Sequence, residues 1–219
     1  MKSYAIFKKD FHSELRTRYA VNSLAMFIIV AISVILFSIG NEQISGSLTG
    51  GLFWVIIFFS AMSGLSRAFV SEEERGTALT LLLIASPSTV FSGKLIFNLI
   101  LVFCMNTIIA LLYSALFSEF VIRNFPLFFI TFVLGNIGLA VSSTIIAAII
   151  AKAGSKGTLY PVLSFPILLP LILTSVKLTL FSIEGASFGE SKFELAIVAC
   201  YDVIMISVSY MLFDFIWKD

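Results

Sequence analysis

Along this chain, apolar residues gather into long unbroken runs separated by short polar breaks, with little strand-like alternation. A membrane-crossing helix takes about 20 mostly apolar residues. Six runs reach that length: Val21–Gly40, Gly50–Val70, Gly93–Phe117, Phe125–Ala151, Thr158–Leu180 and Leu195–Trp217. The pattern predicts an all-α integral membrane fold of six transmembrane helices, forming one domain over residues 1–219 with no room for a separate soluble domain. Residues 1–20 follow another period. Tyr4, Phe7, Phe11, Leu15 and Tyr19 recur at three and four residues and collect on about a third of a helical circumference. This predicts a helix lying in the membrane interface, with Lys8 and Arg18 snorkelling out of the same arc. A basic flank that only fixes topology is the plainer alternative. The segment is longer and more mixed than a signal-peptide n-region and no small-residue cleavage site follows, so the first run reads as a retained span.

The breaks are unequal. Asn41–Thr49 and Ser118–Asn124 are short and polar, and Phe181–Glu194 reads as a loop or a partly embedded connector. Between the second and third runs stands "SRAFVSEEERGTALTLLLIASPSTVFSGK", Ser66–Lys94. Ser71 with Glu74 fits a capping box, and carboxylates in a first turn suit the helix dipole. A short helix is expected from "SEEE" through Leu83 or Ile84, ending before Pro87, which then suits the first position of the next helix. Charged at one end and apolar at the other through Leu79 and Leu81–Ile84, this connector predicts a docking element. A solvated turn with a negative face is the simpler reading.

Composition agrees with the pattern: 59% hydrophobic residues, 12% charged and a mean hydropathy of +1.05 exclude an ordinary soluble domain. With six spans and a cytoplasmic N-terminus, the inside set holds Lys2, Lys8, Lys9, Arg16, Arg18, Arg67, Arg75, Lys94, Lys152, Lys156 and Lys218. Only Arg123, Lys177 and Lys192 fall outside, so both termini and the acidic connector are expected in the cytoplasm.

Several span residues carry their own expectations. Cys104 and Cys200 read as buried core residues. Pro161, Pro166 and Pro170 predict a kinked fifth helix inside the bundle, either as a moving hinge or as a static bend. "GNIGLAVSS", Gly135–Ser143, predicts close helix packing with Asn136 bonding across helices. Asp202 is the intramembrane polar candidate, expected to pair with Asn98 or Asn106 or to gate a cavity. Lys177 is expected to snorkel, Asp214 to sit at the inner interface, and Trp54 and Trp217 to lie in interfacial belts. His12, the sole histidine, reads as a surface residue.

Catalytic chemistry is not expected in this chain. "SGKL" at Ser92–Leu95 lacks the first glycine and the hydroxyl residue of a phosphate-binding loop, so ATP hydrolysis is assigned to a separate subunit. No C-x-x-C-H is present for covalent haem attachment. An intramembrane enzyme would need clustered histidines or paired carboxylates, and an ion-coupled carrier would need an internal repeat with broken helices.

The order R-x-F-x-x-E-x-x-x-G at Arg67, Phe69, Glu72 and Gly76, followed by "SPSTVFSGKLIFN", resembles the CcmB family. So do the basic "KKDFHSELRTRYAVNSLAMF", the proline-spaced fifth span and the closing "FDFIWKD". The resemblance implies a permease similar to type-2 ABC exporters, in which the connector is the coupling helix and its glutamates face the ATPase. The ATPase-coupling region would then comprise Arg67, Glu72, Glu73, Glu74, Arg75, Gly76, Pro87, Gly93 and Lys94. Implied partners are the ATPase subunit CcmA, the haem-handling CcmC, the small protein CcmD, the haem chaperone CcmE, membrane lipids and a possible second copy of the chain, with no nucleic acid. Haem and ATP are handled by the complex, with no cofactor or metal site expected on this chain. The implied location is the bacterial inner membrane. The alternative is the permease of a generic type-2 ABC exporter for a lipid or drug.

Overall fold

The computed structural model describes residues 2–40, 45–65, 69, 72, 76–153 and 159–218. Its helices among those residues are α1 (Lys2–Thr17), α2 (Tyr19–Ile39), α3 (Gly46–Leu65), α4 (Ala78–Ile84), α5 (Pro87–Leu116), α6 (Phe125–Lys152), α7 (Tyr160–Glu184) and α8 (Phe188–Lys218). No strand occurs among them. The chain is a multi-pass membrane protein: α2, α3 and α5–α8 are each long and apolar enough to span, one for each predicted run.

The boundaries differ where polar residues lie inside helices. The break expected over Phe181–Glu194 is mostly helix, because Gly185 takes the left-handed conformation that ends α7 and α8 begins at Phe188. There the Glu190 carboxylate accepts the Ser187 N–H at 2.8 Å, one half of a capping box. At the second break the expected continuous helix is interrupted by Gly76, left-handed at φ 66°, so that α4 starts only after Thr77. Ser71 and Glu74, the expected capping box, lie outside the described residues. Pro87 does open α5, with Ser86 extended ahead of it. The 30 residues of α5 and 31 of α8 extend about 45 Å, beyond an apolar layer of about 30 Å. Their surplus turns carry Lys94 on α5, and Glu190 and Glu194 on α8.

The most buried span is α6, packed against α5, α7 and α8. Between helices in lipid no hydrophobic force operates, so small residues that permit contact decide the packing. A Cβ on Gly135 would lie 2.2 Å from the Trp54 ring, and the Trp54 indole N–H donates to Thr179 Oγ1 at 2.8 Å. Trp54 is therefore fully buried at the α3–α6–α7 junction, not in an interfacial belt; Trp217 is likewise buried, against Phe69 and Phe213. On α7 the buried stripe is Tyr160, Ser164, Leu168, Leu171, Ser175, Leu178, Thr179 and Ser182, while Pro166 and Pro170 are exposed. The helix packs against α3, α6 and α8, and its prolines face away from them. Cys104 and Cys200 are also exposed, each on the outward face of its helix, and form no disulfide. Lys177 finds the Glu194 carboxylate and the Phe181 ring, tying α7 to α8.

Candidate functional site

At the end of the bundle that carries α1 and the connector, a buried charged cluster joins three elements. Arg18, left-handed at φ 52°, turns the chain between α1 and α2. Helix α1 packs across the first turns of α5 at Gly93, where a Cβ would lie 2.8 Å from both Ile6 Cβ and the Ser3 carbonyl oxygen. Spacings of three and four put Ser3, Ile6 and Asp10 on that same face. Asp10 consequently meets Lys94, which is one residue beyond the glycine. Lys94 Nζ stands 3.2 Å from Asp10 Oδ2 and 3.2 Å from Glu72 Oε1. Lys9 reaches Asp10 Oδ1 at 3.2 Å and donates to Glu72 Oε1. Thr77 donates its hydroxyl to Glu72 Oε2. Its N–H also donates to the Glu72 carbonyl oxygen at 3.0 Å, next to the left-handed Gly76.

The cluster is dry. Glu72 is 7% exposed and Lys94 3%. Burial by itself raises the Glu72 carboxyl, but the Lys94 charge, hydrogen bonds from Lys9 and Thr77, and the Lys9 charge outweigh it and bring the carboxyl down to about 2. For Lys9, burial lowers the ammonium, and Asp10 and Glu72 together raise it above its ordinary value. Phe69 secures the same segment from beside: its ring centroid lies 5.4 Å from Phe213 and 5.8 Å from Trp217 of α8, with Lys94 Nζ 5.0 Å above it. The connector is held by two inward pegs, one aromatic and one acidic.

Of the sequence-predicted coupling residues, Glu72, Gly76, Gly93 and Lys94 come together here, with Pro87 starting the helix that carries Lys94. Arg67, Glu73, Glu74 and Arg75 lie outside the described residues. Glu72 corrects the expectation that the connector glutamates face outward: it points into the bundle because two lysines and a threonine converge on it. Lys9, Asp10 and Thr77 were missed. The available signal was Asp10, an acid on the same helical face as Ile6. On α4, Leu83 is 89% exposed and Ile84 62%.

In mid-membrane, polar side chains pair off between helices. Asn106 donates to Asn136 Oδ1 at 2.6 Å, Asn98 donates to Thr144 Oγ1 at 2.8 Å, and the Tyr201 hydroxyl bonds Ser142 at 2.9 Å and the Ile167 carbonyl oxygen at 3.0 Å. The predicted cross-helix bond of Asn136 is present. The predicted pairing of Asp202 with Asn98 or Asn106 is not, because both asparagines are engaged on α6. Asp202 is 4% exposed, with neither carboxyl oxygen hydrogen-bonded, and lies over Gly138, which Leu171 also approaches. Among the described residues no group of three or more His, Cys, Asp or Glu side chains is placed to hold a metal ion. His12 is exposed on α1.

The family model described as CcmB protein matches residues 1–213. A search of curated proteins returns no match.

Proposed function

Since the chain belongs to the CcmB family, we propose that it is the membrane permease subunit of an ABC-type complex of cytochrome c maturation, driven by ATP hydrolysed in a partner subunit. The reading places the connector end in the cytoplasm of the inner membrane, as the lysine and arginine distribution expects. The observation that carries the coupling role is the two-sided connector: Phe69 and Glu72 fix it from within, while Leu83 of α4 stands almost fully exposed outside the spans. A rigidly mounted apolar anchor is what a partner's groove takes up. The ATPase, CcmA by family analogy, would receive α4, and its strokes would reach α5 and α8 through the two pegs. The complex would act with CcmC and CcmD on haem export or on release of haem-loaded CcmE.

The test is Leu83→Asp. A charge at the centre of such a contact should reduce recovery of the ATPase with affinity-tagged chain at least tenfold, about 1.4 kcal/mol, with the bundle's thermal stability in detergent unchanged. Undiminished ATPase recovery in this variant would remove α4 as the docking element.

A further inference from the structure

We propose that the N-terminal helix α1 is a working part of the coupling unit, and that Asp10 and Lys9 are positioning residues that make α1 follow the connector. The inference rests on the coupling reading above and adds an element to it. Three observations converge. The cluster alternates in sign, with Lys9 and Lys94 each bridging Asp10 and Glu72, so no charge pairs only within its own element. The connector's only described carboxylate is thus shared between α1 and α5. Beside the cluster, α1 contacts α5 backbone-close at Gly93, where a larger residue would collide with the Ser3 carbonyl oxygen and Ile6. The joint is therefore fixed by shape as well as charge. The opposite side of α1 exposes Tyr4, Phe11 and Leu15, an apolar ridge fitted to the membrane interface.

These features give α1 a mechanical role. Displacing Glu72 while α1 and α5 stay still would draw a buried carboxylate away from both of its lysines, so the low-energy motion carries Lys9, Asp10 and Lys94 along with it. The connector, α1 and the first turns of α5 then move as one body. The ridge of α1 bears on the lipid surface, and α5 transmits the displacement into the bundle. A helix that merely fixed topology would need basic residues at this position, with no acid buried against the next element.

The test uses the full complex purified from its membrane through the tagged chain, comparing the unmodified protein with the double variant Lys9→Gln/Asp10→Asn. That change leaves the Glu72–Lys94 pair in place. Expected are membrane levels and ATPase recovery within about twofold of the unmodified chain, and cytochrome c formed per ATP hydrolysed reduced at least tenfold. Inverting all four charges together (Lys9→Glu, Asp10→Lys, Glu72→Lys, Lys94→Glu) restores the alternation and should recover at least half of that output. Unchanged output per ATP in the double variant overturns the inference and leaves the coupling reading standing. So does a loss that only tracks protein level and is not rescued by inversion. Absence of any ATPase from the unmodified complex sinks the coupling reading, and this inference with it.

Discussion

Two acidic residues are almost equally buried in this molecule, and their surroundings could hardly differ more. Glu72, at the connector end, accepts from Lys9, Lys94 and Thr77 and is drawn down to about 2. Asp202, halfway along α8, has no hydrogen bond from either carboxyl oxygen and lies over Gly138. Near the end of a span, lysines on long stems can reach a carboxylate from neighbouring elements, whereas in mid-membrane the nearby polar groups are short and already committed to each other. Burial alone therefore does not identify a working acid. Convergence of partners from separate elements is what sets the two apart: Glu72 ties the connector to α1 and α5, and Asp202 has only local packing.

The sharpest break in this contrast is Lys94→Met, which leaves Glu72 buried with only half of its cationic support. A loss of about 3–5 kcal/mol is expected, seen as a lowered midpoint of thermal unfolding in detergent and as earlier protease cleavage in the connector. Acid should act on the same tie. Because the Glu72 carboxyl is lowered from 4.5 to about 2, its contribution is fully present above about pH 4.5 and is lost as pH falls toward 2. The full loss is roughly 3 kcal/mol. Protease sensitivity of the connector should rise across that window and stay flat in Glu72→Gln. Smaller effects belong to Asp202. The Gly138→Ala methyl would lie 2.5 Å from Asp202 Oδ1 and 2.7 Å from a Leu171 methyl, so overpacking of about 1–3 kcal/mol is expected. Asp202→Ala in the same chain should relieve part of it. Asp202→Asn alone should shift stability by less than about 1 kcal/mol, since no bond is lost. A large loss in Asp202→Asn would mean that the two acids are more alike than their surroundings.

Much of the architecture was legible from the runs themselves. Six apolar stretches became six spans because lipid leaves a backbone of that composition no choice but helix. The interfacial periodicity of residues 1–20 became α1, Pro87 opened α5, and the small residues from Gly135 onward marked the most buried helix. Facing directions were less legible. Trp54 and both cysteines were assigned to the wrong environment, because in an apolar run every face has the same composition and periodicity carries no inside or outside. The site was half legible. Glu72, Gly76, Gly93 and Lys94 stood out as unusual residues in a connector, but their orientation did not.

By itself, then, the sequence determined the number of spans, their approximate ends and the presence of a structured connector, because these follow from length and hydropathy against a bilayer of fixed thickness. Only the tertiary structure decided that Glu72 turns inward, that Asp10 and Lys9 from the far end of the sequence share it with Lys94, and that Asp202 is left unpaired. Pairing of buried charges is a property of where helices cross, and crossings are set by contacts such as Ile6 on Gly93 and Trp54 on Gly135 that no local pattern encodes.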